Sequence, residues 1–485
     1  MPHQLTSRNL FFTGIVLTVL CAWFSVGYHH PDEHYQIWEF AKVKLGEAPV
    51  EDLPWEYAEK MRPGLQPFMA FTGIKFARAI GIDDPFDQVL LLRMLTGILV
   101  FLLYWKWSDV LAEKFADKGR FLKLCLLFFW LSPYLNVRFS SENLSALAFF
   151  TGLLLIYPDP NKKSISKLIL SGFLICLAFF FRYQIAFAYA GLGLWLVFAQ
   201  KTSWKNLALM ASGALVALIP GALTDHWLYG EWVFAPYNYF AQNIIEDKAA
   251  GFGVSPWWWY FTEMIIFLLP PVSLFLYWFL GKGISRERMH VFVWCLVPFV
   301  IGHSLVGHKE TRFLFPMLWP IFYLLAVGYD HIRVQSYWKS WLKGVFTFAL
   351  VINFIALAYR TIYPANDVLP NIRFIRDYSA GHPGTTVFMD SHGGPKKETL
   401  QLHFYQMPWV HFEVTDSISQ LDNHAWYQPK PGDLIYFRTD DTSYCPEGFS
   451  KTLVYKWFPD WLLSININDW TSRTRIWKIY RLDKL

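Results

Sequence analysis

Charge is scarce in this sequence. Only 17% of its 485 residues are Asp, Glu, Lys or Arg, against about 25% in ordinary soluble domains. With 54% hydrophobic and 19% aromatic residues, that deficit excludes a disordered chain, a coiled coil and a collagen-like fibre, and argues against a soluble enzyme. Cysteine is also sparse. There are 5, of which Cys21, Cys125, Cys176 and Cys295 sit in apolar blocks and Cys445 stands alone, so no disulfide framework or cysteine-based zinc cluster is available. The sequence holds no Walker loop, Gly-rich dinucleotide turn or nucleophile elbow. It also lacks a fixed-period repeat and any low-complexity stretch. The net charge of +5 is small and points to basic membrane loops, not to a nucleic-acid partner.

What the sequence does contain is long apolar runs, at 10–28, 88–107, 121–137, 144–157, 165–181, 183–199, 207–223, 258–280, 291–306, 313–329 and 341–359. A membrane span needs about 20 apolar residues, so the pattern reads as an all-α polytopic membrane protein with roughly eleven transmembrane helices. The first run lacks a small-residue cleavage site and reads as an anchor, not a removed signal peptide.

Segment 64–81 is apolar but carries Lys75 and Arg78. The distribution of charge settles how to read it. With a cytoplasmic N-terminus and 64–81 lying in the outer interface as an amphipathic helix, every basic connection falls on the cytoplasmic side. Those connections hold Lys106, Lys114, Lys118, Arg120 and Lys123; Lys162, Lys163 and Lys167; Lys201 and Lys205; Lys282, Arg286 and Arg288; and Arg333, Lys339 and Lys343. If 64–81 crossed the membrane, all of them would face outward. The same parity puts 29–87, 138–143, 182–184, 224–257 and 307–312 outside. Residues 1–360 thus form the membrane domain. Residues 361–485 form a small extracytoplasmic α/β domain, with strand-like runs at 385–389, 434–437 and 476–480 between Gly and Pro turn signals.

Chemistry concentrates in the outer loops. His29-His30-Pro31-Asp32-Glu33-His34-Tyr35 follows the first span. Pro31 suits a first helical turn, and Asp32 and Glu33 then lie at the positive helix end. Acidic residues are common there for that reason alone. Here, however, the pair sits at the membrane surface among histidines and aromatics, where a lipid-borne substrate presents its head group. Gly307-His308-Lys309-Glu310-Thr311-Arg312 forms a second cluster just before a span. Lys309 and Arg312 alone would fit an interfacial charge belt, but such a belt has no need of His308 or Glu310. Arg138 and Arg182 share the outer side with Lys309 and Arg312, and several cations around one cavity suit a phosphate. Arg93 lies within an apolar run and needs a partner or an aqueous cavity. Asp87 is the nearby carboxylate available to it. Loop 224–257 offers Asn238 and Asn243 beside aromatic residues, a combination that fits an interfacial belt or a sugar site.

Together these residues resemble glycosyltransferase family 22 of the GT-C superfamily, whose eukaryotic members are mannosyltransferases of GPI-anchor and N-glycan precursor synthesis. The matching segments are His30-Pro31-Asp32-Glu33; Arg62-Pro63 leading to Pro67; Arg138 with Asn143; Arg182; Tyr229-Gly230 and Trp232 with Asn238 and Pro256-Trp257; and His308-Lys309-Glu310 with Arg312-Phe313. Arg62-Pro63-Gly64 replaces the family's usual Arg-Ser-Tyr, and the tail is similar only loosely, around 388–395. The resemblance implies the GT-C fold and inverting transfer of mannose from a polyprenyl-phosphate sugar to a lipid-linked or membrane-anchored glycan in the bilayer.

The alternatives are the same fold carrying arabinose, glucose or an aminosugar, or, further off, a lipid or glycan transporter. Inversion needs one base, for which Asp32 and Glu33 are the candidates and Asp32 is favoured. The departing phosphate needs cations, for which Arg138, Arg182, Lys309 and Arg312 are candidates converging on one cavity. Arg93, Gln184, Asn238, Asn243, His308 and Glu310 complete the expected substrate-binding set. No divalent metal or other cofactor is expected, since a phosphate can leave without one. The closing Arg481-Leu482-Asp483-Lys484-Leu485 is neither a dilysine nor a KDEL-type signal. With the outward tail, it favours a bacterial inner membrane, with the endoplasmic reticulum as the alternative.

Overall fold

In hydrocarbon every backbone N–H and C=O must be satisfied within its own segment, so long apolar sequence folds as helix. A computed structural model describes residues 7–115, 117, 119–390, 402–407, 409–415, 418–437, 443–466, 469–474 and 476–485. Among them, five helices are long and apolar enough to cross a membrane: Ser7–Phe24, Pro85–Lys114, Trp204–Tyr229, Thr311–Ile332 and Ser340–Ile362. Four shorter apolar helices, Ser141–Ile156, Ile165–Phe179, Tyr183–Ala199 and Val291–Leu305, pack among them. The segment with Lys75 and Arg78 is the helix Leu65–Ala79, of 15 residues. At 1.5 Å per residue it falls well short of the ~30 Å hydrocarbon thickness. Its charged side turns outward, where Arg78 pairs with Glu47, while Leu65, Ala70, Ile74 and Ala77 are buried.

Two of the expected spans are broken. The run 258–280 divides into Trp259–Phe267 and Val272–Arg286. Pro270 and Pro271 stand at the break; they lack amide donors and disfavour helix in the residue before them. The run 121–137 divides into Arg120–Phe128 and Ser132–Asn136. There Asn353, on the helix Ser340–Ile362, repairs the gap. Its Oδ1 accepts from the Trp130 amide at 3.0 Å, and its Nδ2 donates to the Phe128 carbonyl at 2.5 Å.

The helix connections gather at two opposite ends. At one end lie the basic loops. Lys114 donates to Glu287 and Tyr323, Lys123 reaches Asp109 and Ser7, and Asn161 donates to the Gln200 and Lys201 carbonyls. At the other end, Gln66 donates to the Phe139 carbonyl and the Gly64 amide to Asp225 at 2.7 Å. Gly64 is required at this crossing, since a Cβ would lie 2.2 Å from the Thr224 carbonyl oxygen.

The tail adds the helix Leu369–Ala380 and, among the described residues, a 5-stranded sheet in the order β2-β1-β3-β5-β4. The strands are β1 Thr386–Asp390, β2 His411–Thr415, β3 Leu434–Phe437, β4 Phe449–Lys456 and β5 Lys478–Lys484. β1 pairs parallel with β2 and β3, and β5 pairs antiparallel with β3 and β4. Side chains alternate across the sheet as its period of two demands. Val387, Met389, Leu434 and Tyr436 join the large buried cluster that includes the membrane helices, while Phe388, Ile435 and Phe437 form a second cluster on the opposite face. The loose family likeness around 388–395 lies, from 391 onward, outside the described residues.

Asn353→Leu leaves a buried amide and a buried carbonyl unpaired. It is expected to cost about 1–3 kcal/mol, seen as a lowered thermal midpoint of the detergent-purified protein. An unchanged midpoint would show that the break between residues 128 and 132 needs no side-chain partner.

Candidate functional site

Pro31 opens the helix that follows the first span, and His30 caps it: its Nδ1 accepts from the Asp32 amide at 3.2 Å. Adjacent residues on a helix point about 100° apart, and here they part company. Glu33 turns inward and is buried. It accepts from the His29 amide at 2.8 Å and faces Arg138 at 3.6 Å. Burial raises its carboxyl above the usual range, against the pull of Arg138. His29 is half-buried, and its desolvation, with Arg360 and Arg138 nearby, pushes it down to about 3. Asp32 turns into a crevice with an empty volume of about 510 Å³, whose inner wall Glu33 also lines.

One cation organises that crevice. Arg312 Nη2 donates to Asp32 Oδ2 at 2.6 Å and Nη1 to Glu142 Oε1 at 3.4 Å, while its Nε donates to Glu310. Arg62 Nη2 stands 4.0 Å from Asp32 and 3.2 Å from Glu56. Burial alone would raise the Asp32 carboxyl, but Arg312 and Arg62 outweigh it and hold the group well below the usual carboxylate range. Glu310 also pairs with His30 and His308. Burial opposes these partners there too, yet Arg312 brings Glu310 down to about 2.

Across the crevice, Arg182 Nη1 donates to Glu142 at 2.8 Å and to Ser141 at 3.1 Å. Among the described residues its buried Nε and Nη2 have no hydrogen-bond partner, and neither does Arg62 Nε. Gln184 joins the wall and donates to the Tyr239 hydroxyl.

The other expected residues lie elsewhere. The four cations Arg138, Arg182, Lys309 and Arg312 do not all converge: Arg182 and Arg312 line the crevice, and the other two stand outside it. Arg138 is buried behind Glu33 and donates to the carbonyls of Ser25 and Gly27, where the first helix has ended. Lys309 donates to the carbonyls of Ser255 and Val306. Arg93 has no ion pair with Asp87; it donates to the Ser25 carbonyl and faces a separate small cavity behind Glu33. Asn238 donates to the Glu59 and Lys60 carbonyls, and Asn243 to that of Tyr239, so both fix loop 224–257 in place. His308 bonds to Glu310 and to the Gly253 carbonyl. Arg62, Glu142 and Tyr239 were not in the expected set. Arg62 and Glu142 had a signal, since each stands in or beside a motif segment in an outer loop.

No group of three or more His, Cys, Asp or Glu side chains suited to a metal ion occurs among the described residues. An apolar groove of about 700 Å³ empty volume adjoins the crevice. It is lined by Leu92, Leu95 and Leu99 from one helix and Leu144 and Leu147 from another, and it shares Phe181 with the crevice wall.

A family model described as the Alg9-like mannosyltransferase family matches residues 10–397. The chain belongs to that family. Curated relatives include GPI alpha-1,2-mannosyltransferase 3 of Bos taurus, 24% identical over 81% of this chain and 72% of that one. The Homo sapiens protein of the same name is 22% identical over 78% and 68%. Among solved structures, ArnT from Cupriavidus metallidurans bound to undecaprenyl phosphate superposes with a TM-score of 0.56 at 13% identity, covering 97% of each chain. That likeness is one of fold, and the fold is GT-C. The protein is thus a mannosyltransferase-family member and an integral, multi-pass membrane protein.

The crevice ion pairs carry a pH signature. Asp32 and Glu310 have lowered folded values, so the stability they add is present above the unfolded carboxylate range near pH 4 and is lost as pH falls through the folded values. Arg312→Gln should therefore lower the thermal midpoint most at neutral pH, with the gap from the parent protein narrowing below about pH 4. A gap independent of pH would mean that these pairs do not set it.

Proposed function

We propose that this chain transfers a mannosyl residue, with inversion at the anomeric carbon, from a polyprenyl-phosphate mannose to a lipid-linked glycan at the outer or lumenal membrane face. The observation that carries the reading is the meeting, in one crevice, of an ionised Asp32 with N–H groups of Arg182 and Arg62 that have no hydrogen-bond partner among the described residues. Asp32 takes the proton of the acceptor hydroxyl as that oxygen bonds to the anomeric carbon. The bond from that carbon to the phosphate oxygen breaks, and the polyprenyl phosphate leaves with the electron pair. Arg182 and Arg62 meet its charge with those same N–H groups. Arg312 aims Asp32, and Glu33, held by Arg138 and the His29 amide, fixes the helix turn. A phosphate leaving group met by two guanidiniums needs no divalent metal, so chelators should leave activity intact.

The groove beside the crevice is apolar and shares the Phe181 wall, which suits the polyprenyl chain. Roughly eleven crossings, with 29–87, 224–257 and the domain 361–485 outside, agree with the gathering of basic loops at the opposite end. The relatives' names favour an α-1,2 linkage on a GPI-type glycolipid. These relatives are eukaryotic; they lend no support to the bacterial inner membrane favoured from sequence and favour the endoplasmic reticulum.

Purified protein given labelled polyprenyl-phosphate sugars and a membrane lipid extract should form a mannosylated lipid, identified by mass spectrometry. Transfer of arabinose, glucose or an aminosugar instead of mannose would overturn the donor, and no transfer at all would overturn the activity. Asp32→Asn should lower turnover by about 10²–10⁴-fold with donor binding nearly intact, and Glu33→Gln should cost less. The reverse ranking would move the base to Glu33. Arg182→Gln should weaken donor binding more than acceptor binding. A cysteine introduced at Lys162 should resist labelling from the outer side, and its labelling there would reverse the topology.

A further inference from the structure

The helix that presents Asp32 changes its winding along its length. It is α over Pro31–His34, π over Tyr35–Glu39 and α again over Phe40–Lys44. A π turn brings residues five apart one above the other, and here those residues are His34 and Glu39. Their side chains meet at 2.5 Å and are 1% and 2% exposed. Neither takes part in the transfer chemistry. Burying a polar pair costs free energy unless it is fully hydrogen-bonded, and an apolar pair of similar volume would often be as stable. Stability alone therefore does not account for this pair.

The His34 ring also packs on Tyr28 and Tyr35, and the pair's further partners come from the tail. The Phe404 amide donates to the same Glu39 Oε1 at 3.1 Å. The Tyr405 ring stacks on His34, with centroids 5.5 Å apart and planes at 21°. Phe404 packs on Trp38 of the same helix, and His403 bonds to Asp52 at 2.7 Å. The tail also grips the turn just before this helix. The Ala365 amide donates to the Val26 carbonyl at 2.7 Å, and a Cβ on Gly27, at φ +99°, would lie 2.6 Å from Asn366 Oδ1. The helix carrying Asp32 is thus bound to the tail before its start and along its back, while Asp32 itself faces the crevice.

We propose that tail segment 402–407 is a positioning element for the transfer reaction, locking through Glu39 and His34 the helix turn that presents Asp32. The inference rests on the reading of Asp32 as the base. A misplacement of about 1 Å at the reacting centre can cost on the order of 10²-fold in rate, so a segment far along the chain can govern turnover without touching substrate.

The test uses the full chain purified in detergent, with Tyr405→Ala, Glu39→Ala and Glu39→Gln. Both alanine variants should lose roughly 10- to 100-fold in kcat with donor KM within about twofold. Hydrogen exchange should rise over residues 31–44 and stay unchanged in the helix Ile165–Phe179. Glu39→Gln, whose amide oxygen can still accept from Phe404, should recover most of the loss. Turnover per folded molecule within about twofold of the parent in both alanine variants would overturn the proposal. So would a loss with exchange raised throughout and no rescue by glutamine, which marks plain destabilisation. If the parent chain transfers no sugar, the proposed activity fails, and exchange alone decides the rest: unchanged protection over 31–44 in the alanine variants overturns the positioning role.

Discussion

The Arg312 guanidinium is the interaction on which this end of the molecule depends. It engages Asp32, Glu142 and Glu310, carboxylates from three separate segments of the chain. A planar fork with five donors can do this, and a lysine ammonium, a compact point charge on a flexible stem, cannot match its geometry. Three carboxylates drawn close together would repel one another and lose their hydration; the guanidinium, with Arg62 and Arg182 beside it, offsets both costs. The first outer loop, the turn before Ser141–Ile156 and the turn after Val291–Leu305 must therefore lie at one end of the bundle. The crevice is the consequence of that meeting.

Much of this was legible in the sequence, and the reasons differ by feature. Apolar runs located the helices because lipid allows few other backbones. The two broken spans were marked by Pro270-Pro271 and by Ser132-Pro133, but composition alone hides such breaks when the flanking residues are apolar. What closes the second gap is Asn353, more than 200 residues further along the chain, and a long-range polar repair of that kind has no local signature. In the tail, β1, β3 and β5 showed as apolar runs. β2 and β4 interleave polar residues, His411 and Glu413 in one and Ser450, Lys451 and Thr452 in the other, on exposed or half-buried positions, and so offer no comparable apolar run.

In the site, the sign of a charge was readable and its partner was not. Arg138, Arg182, Lys309 and Arg312 are equivalent in a count of outer cations. The structure sorts them by what else needs a donor. The chain leaves its first helix at Ser25–Gly27 with carbonyls free, and Arg138 and Arg93 satisfy them. The turn at Val306–Gly307 and the carbonyl of Ser255 claim Lys309 in the same way. Backbone acceptors at turns are invisible to a reading of side-chain charge, and they take two of the four expected phosphate ligands. Arg62 adds a cation beside Asp32 that the count had not placed there, and Glu142 joins the two crevice arginines.

The arrangement that results is a chain of alternating charge, Asp32 to Arg312 to Glu142 to Arg182. In the proposed transfer its two ends have different tasks. Asp32 is doubly cation-facing and stays ionised, so it is ready to accept a proton without first losing one. Arg182 is only partly satisfied among the described residues, with its buried Nε and Nη2 left over, so an anion bound there would gain hydrogen bonds. Glu142 is shared by both arginines through a single oxygen, which ties the geometry of the two ends together. An anion drawn to Arg182 competes with Glu142 for that guanidinium, and any shift of Glu142 is felt by Arg312 and therefore by the carboxylate it holds. In a site shielded from bulk water such pairwise terms are weakly screened. The Asp32 end and the Arg182 end of the crevice are consequently one electrostatic unit, and substitutions along the chain are expected to combine non-additively.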